Sequence, residues 1–181
     1  DVRAIDWRVS ARAGRVHTKL FHEERERPVL LLLDERPPMH FGTRDAFKSV
    51  QAARAAAVLA WTAHDAGDRV GGMILTAAGR IEILPRRSEA RLLHLLRLID
   101  GATAEHRGEG SMSLADALPR LARVSRSGTL ALVLSDFHDL DDETERQLGR
   151  LALRSDTGVV FVHDALEEAA PQVGGLRVSD G

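Results

Sequence analysis

The strongest constraint on the fold of this chain is a pair of short apolar runs that each stop at an aspartate. Val29-Leu30-Leu31-Leu32-Leu33 ends at Asp34, and Leu130-Ala131-Leu132-Val133-Leu134-Ser135 ends at Asp136. Short apolar runs of this kind are the habit of strands buried on both faces, as in parallel sheets. Each run is followed by a loop and then by apolar residues at helical spacing. In open sheets built from alternating strands and helices, ligands bind in the crevice beyond the carboxyl ends of the strands. Both carboxylates are therefore expected at one crevice, where paired acids would suit a hard cation such as Mg²⁺.

The rest of the chain continues the alternation. Thr43 is placed to cap a helix that runs to Asp65, with Phe47, Val50, Ala53, Ala57 and Trp61 as its core face. Residues 70–76 read as a strand weakened by Gly71 and Gly72, and 80–84 as its hairpin partner. Ser88 opens a second helix carrying Leu92, Leu95, Leu96 and Ile99, and 101–110 reads as a polar loop. A third helix over 114–124, a strand over 129–134, a helix over 141–153 and a strand over 159–162 complete the pattern. The expected fold is α/β: a three-layer sandwich around a mostly parallel, Rossmann-like sheet with one antiparallel edge hairpin. Its core is expected over 29–170. Residues 1–28 are a charged lead-in, either an edge strand or the remnant of an upstream domain, and 171–181 are a tail.

Composition narrows the chemistry. The 181 residues include no cysteine, which excludes disulfide frameworks, thiol nucleophiles and zinc–thiolate sites. A net charge of -2 gives no bulk electrostatic case for nucleic acid or a membrane surface. No apolar run approaches the roughly 18 residues of a membrane helix, and the start has no secretory pattern. A cytoplasmic location is expected, with any membrane association supplied by regions outside this chain. The chain opens on Asp1 rather than methionine, and so reads as part of a longer protein. The histidines show no ligand spacing, and Glu109-Gly110-Ser111 is not a phosphate loop.

Several motifs, in order along the chain, carry a resemblance. They are Ile5-Asp6-Trp7-Arg8-Val9-Ser10-Ala11-Arg12, Glu23-Glu24-Arg25, Phe41-Gly42-Thr43, Gly67-Asp68-Arg69-Val70-Gly71 and Ser135-Asp136-Phe137. Together they resemble the DUF58 family, a bacterial group with a von Willebrand factor A-like domain. The resemblance implies that fold and a place to look for a metal-ion-dependent adhesion site. In such a site the first strand ends in Asp-x-Ser-x-Ser, a later loop gives a threonine, and a further strand ends in aspartate.

This chain departs from that pattern. Asp34 and Asp136 match the aspartates, but Arg36 and Pro38 stand at the serine positions, and Ser111 or Ser113 falls near the loop threonine. Arg36 would place a fixed positive charge where the cation belongs. No cofactor is expected; if any cation binds, Asp34 and Asp136 are its carboxylates. Arg36 is expected to stand in for the cation by pairing with Asp34 or Asp136. The cluster 136–139 also reads as a turn into a helix whose dipole favours Asp139, Asp141 and Asp142.

The expected function is a non-enzymatic protein-interaction module with a degenerate adhesion site. The resemblance implies a MoxR-type AAA+ ATPase as partner, in complex assembly or a chaperone-like role. Charge reversal at Arg36 is expected to weaken that contact without unfolding the domain. One alternative is a metal-assisted phosphoester hydrolase using Asp34, Asp136 and His138 as general base, which the Arg36 position argues against. A second is a nucleic-acid binder, for which no basic face is visible.

Overall fold

The computed structural model describes residue 12 and residues 26–104 and 112–168. The lead-in motifs, residues 105–111 with Ser111, and residues 169–181 lie outside the described residues. The described elements are β1 (Pro28–Asp34), α1 (Lys48–Asp65), β2 (Arg69–Thr76), β3 (Gly79–Arg86), α2 (Glu89–Ala104), α3 (Leu114–Val124), β4 (Leu130–Ser135), α4 (Asp142–Ala152), β5 (Asp156–Phe161) and the short α5 (Ala165–Glu168). No described helix is long and apolar enough to cross a membrane.

Among the described residues, five strands form one sheet in the order β3-β2-β1-β4-β5. β1 pairs in parallel with both β2 and β4, β4 pairs in parallel with β5, and β2 and β3 pair antiparallel. The apolar run of β1 is buried on both faces because the pleat sends its side chains alternately to two helical layers. Val29, Leu31 and Leu33 pack with Ala52, Ala56 and Ala60 of α1 and Leu92, Leu95 and Ile99 of α2. Leu30 and Leu32 pack with Leu114, Leu118 and Leu121 of α3 and Leu151 of α4. This is the expected mixed α/β sandwich.

The chain turns from β1 to one side of the sheet first and later returns to β4 on the other. The carboxyl ends of β1 and β4 therefore flank the switch point, where open α/β sheets leave a crevice. Leu33 lies opposite Leu134, so Asp34 and Ser135 leave the sheet side by side.

Three local expectations are corrected. α1 begins at Lys48 rather than near Thr43, and its N-cap, Phe47, makes no side-chain cap bond. The Thr43 hydroxyl and amide are instead taken by Asp164, far along the chain. The core face of α1 is Ala52, Ala56 and Ala60, while Trp61 is 40% exposed and Phe47 38%. Small side chains let the helix lie close to the sheet and leave the large rings at its margin. α2 continues through Gly101 to Ala104, beyond the expected helix end.

The two glycines of β2 mark close approach rather than weakness. A Cβ on Gly71 would stand 2.5 Å from the Ile83 carbonyl oxygen and 2.6 Å from the Pro85 nitrogen. This is where the β2–β3 register shifts in a bulge. A Cβ on Gly72 would meet Leu95 Cδ1 at 2.9 Å.

Candidate functional site

The site begins with a turn dictated by two prolines. Arg36 precedes Pro37 and takes an extended backbone (φ −72°, ψ 162°), as residues before proline do. Pro37–Met39 then forms one 3₁₀ turn, which contains Pro38. The Arg36 amide donates to Asp34 Oδ1 at 3.1 Å, which folds the guanidinium back over the carboxylate. Its Nε donates to Asp34 Oδ1 at 2.9 Å and its Nη2 to Asp34 Oδ2 at 2.7 Å, a two-pronged fork.

The other side of the same guanidinium holds a second carboxylate. Nη1 donates to Asp139 Oδ2 at 2.5 Å and Nη2 to Asp139 Oδ1 at 2.8 Å. Ser135 Oγ adds a 2.6 Å bond to Asp34 Oδ2, and the Leu114 amide, at the start of α3, donates to Asp139 Oδ2 at 3.1 Å. The expected pairing of Arg36 with Asp34 is present. Its second partner is Asp139 rather than Asp136. Burial pulls the guanidinium toward neutrality, but the bonds to Asp34 and Asp139 outweigh it and keep it charged. Arg36 in turn holds Asp139 below the usual carboxylate range, against the opposing effect of burial and with help from the Leu114 amide.

Asp136 has a cation of its own. Lys48 Nζ donates to Asp136 Oδ2 at 2.8 Å and to Glu167 Oε1 at 2.6 Å. Burial opposes the charge on this buried lysine, yet its two carboxylate partners raise it overall. The His138 amide donates to Asp136 Oδ1 at 3.1 Å, and Phe137 sits between them at φ 51°, so the strand reverses sharply after Ser135. The Phe41 ring lies 5.7 Å from Lys48 Nζ. Asp164, bonded by the Thr43 hydroxyl and amide and by the Leu166 amide, is pushed down to about 2.

Glu35 turns its side chain the other way. It is 3% exposed, accepts one bond from the Thr103 hydroxyl at 3.1 Å, and its Oε2 has no partner among the described residues. Burial pushes its carboxyl up to about 8; the Thr103 bond lowers it and the Asp34 charge adds to the rise. It is therefore largely protonated at neutral pH.

Of the two loop-threonine candidates, Ser113 is turned to another task. Ser113 is the N-cap of α3, and its hydroxyl is engaged with Asp116 in a capping box. Ser111 lies outside the described residues. The donors do not suit a hard divalent cation. Both oxygens of Asp34 are bonded by Arg36, Pro38 has no donor, and among the described residues no three acidic or histidine side chains are set to hold one ion.

Glu35 and Asp139 fall within the expected contact edge of 34–43, 108–113 and 136–139; Lys48, Ser135 and Glu167 complete it, and sequence reasoning did not assign these three to it. With the helix expected from Thr43, Lys48 falls beyond its first turn and carries no signal. In the structure it opens α1, where a lysine faces the positive end of the dipole and needs a carboxylate to hold it there.

Comparisons with known proteins agree with this architecture. An uncharacterized protein of Mycobacterium tuberculosis (strain ATCC 25618 / H37Rv) and one of Mycobacterium bovis are each 28% identical over 183 residues. The alignment covers 99% of this chain and 56% of each relative, so the chain spans a little over half their length. The crystal structure of an aerotolerance-related membrane protein from Bacteroides fragilis is similar in fold, with a TM-score of 0.57 at 16% identity. That match covers 75% of this chain and 67% of the other. The family described as "Protein of unknown function DUF58" matches residues 1–181, and the chain belongs to it.

Proposed function

We propose that this domain is a non-enzymatic interaction module of von Willebrand A-like type, whose degenerate adhesion site works without a metal. The observation that carries the reading is the double neutralisation of the crevice. Arg36 spans Asp34 and Asp139, and Lys48 spans Asp136 and Glu167. Two internal cations stand where one external cation would bridge the domain to a partner. The carboxylates are then fixed structural groups rather than ligands awaiting an ion, which also leaves a metal-assisted hydrolase without its metal-binding pair.

The same edge suggests what it meets. Four carboxylates face two cations, so it stays net acidic, and Phe41 (37% exposed) and Leu140 (50% exposed) lie beside it. A partner with basic groups around an apolar contact fits this surface. The resemblance of the motifs points to a MoxR-type AAA+ ATPase on the cytoplasmic side, in complex assembly or a chaperone-like role.

The test is the affinity of the immobilised full chain for a MoxR-type ATPase from the same organism. Arg36 is not a clean probe, because it is buried between two carboxylates. Leu140→Arg and Phe41→Ala are suitable, since both side chains are exposed. Either should weaken binding about tenfold or more, as central interface residues do, with the unfolding curve unchanged. Equal affinity in both variants would refute this edge as the interface.

A further inference from the structure

We propose that the opposite end of the sheet binds a phosphate-bearing small molecule, of the diphosphate or triphosphate class. A cleft of about 750 Å³ opens there, between the start of β1, the end of β3 and the turn before β4. That volume lies within the range of small-molecule sites, roughly 300–1,000 Å³. Its lining includes Arg27, Arg69, Arg86 and Arg126, together with the exposed Leu84 and with Pro85.

The placement follows from strand register. Pro28 pairs with Arg69 and Val70 with Arg86, so three neighbouring strands bring arginines to one end. The turn from Arg126 to Thr129 adds the fourth. It is closed by a 2.9 Å bond from the Thr129 amide to the Arg126 carbonyl, and Gly128 takes φ +82°. Arg27 Nε donates to the Gly128 carbonyl at 3.1 Å, which ties that turn to the start of β1.

Charge accounting singles the cleft out. Arg27 is paired with Asp156, and Glu26, the one acid in the lining among the described residues, is paired with Arg87 at 2.9 Å. Asp68 accepts the Arg27 amide. Arg69, Arg86 and Arg126 have no carboxylate partner among the described residues, in a chain whose net charge is -2. The amides of Ser127 and Gly128 also make no hydrogen bond among the described residues. Three unpaired guanidiniums around one concavity repel one another in the absence of an anion. Their planar forks match phosphate oxygens, and the two amides add neutral donors. Leu84 and Pro85 in the same lining give the organic portion of such a ligand an apolar contact.

Calorimetric titration of the full chain with inorganic triphosphate tests the site directly. Saturable binding at low salt is expected, weakening as salt rises. The Arg69→Ala/Arg126→Ala double variant should bind at least about tenfold more weakly, because charge-assisted bonds are lost. Arg86→Ala alone, outside the folded core, gives a second reading should the double variant prove unstable. Absent saturation, or affinity equal in wild type and variants, would overturn the proposal. A parallel arm with phosphatidylglycerol vesicles separates the sources of phosphate. Sedimentation with vesicles and no triphosphate binding would overturn the small-molecule assignment.

Discussion

Glu35 should make the domain less stable as pH rises through the neutral range. Its carboxyl is raised from 4.5 to about 8, first by burial. Between those values the unfolded chain releases the proton and the folded chain keeps it, so each pH unit costs about 1.4 kcal/mol of folding free energy. The loss begins above pH 4.5, reaches about 3 kcal/mol at pH 7 and levels off near 5 kcal/mol above pH 8. Against a total stability of about 5–15 kcal/mol for a domain, that is a large share. Glu35→Gln retains an acceptor for the Thr103 hydroxyl and removes the titration. Urea unfolding of both proteins from pH 5 to pH 8 is the assay. The variant should match wild type near pH 5 and exceed it by about 3 kcal/mol at pH 7 and about 4 kcal/mol at pH 8. Parallel pH–stability curves would refute the reasoning, because they would mean that Glu35 is ionised in the folded state.

Three further outcomes follow from the same geometry. Arg36→Ala leaves Asp34 and Asp139 facing each other without a cation and should cost about 3–5 kcal/mol in urea unfolding, so a loss below about 1 kcal/mol would contradict the buried pairing. Gly71→Ala drives a methyl into the backbone of β3 and should cost about 1–3 kcal/mol by thermal unfolding; a neutral result would mean that the bulge relaxes freely. Asp139 is held below 3.8 chiefly by Arg36, so its contribution is full above that pH and is lost as pH falls further. Asp139→Asn should therefore flatten the acid limb of the stability profile, and an unchanged limb would show that Arg36 does not depress its pKa.

The central strands were legible because a strand buried on both faces needs no partner information: five consecutive apolar residues before Asp34 suffice. The caps of α3 and α4 were not read: Ser113 was taken for a loop-threonine candidate and Asp141 for a dipole-favoured acid, whereas Ser113 boxes with Asp116 and Asp141 accepts from the Thr144 amide. The start of α1 was misread because Thr43, locally a good N-cap, is claimed by Asp164. The face of α1 was misread because helical spacing alone does not say whether the sheet will take large rings or alanines. The site itself was half legible. Arg36 and Asp34 are two residues apart, so a fork between them could be inferred. Asp139 and Lys48 reach their partners only after the sheet has closed, across 103 and 88 residues.

The measurement closest to the central claim is a calorimetric titration with Mg²⁺ and with Mn²⁺, using Asp136→Ala as the control. If Arg36 and Lys48 occupy the place of the cation, neither ion gives saturable heat at millimolar concentration, in wild type or variant. Saturable binding in wild type that disappears in Asp136→Ala would contradict the account and return the crevice to a metal site.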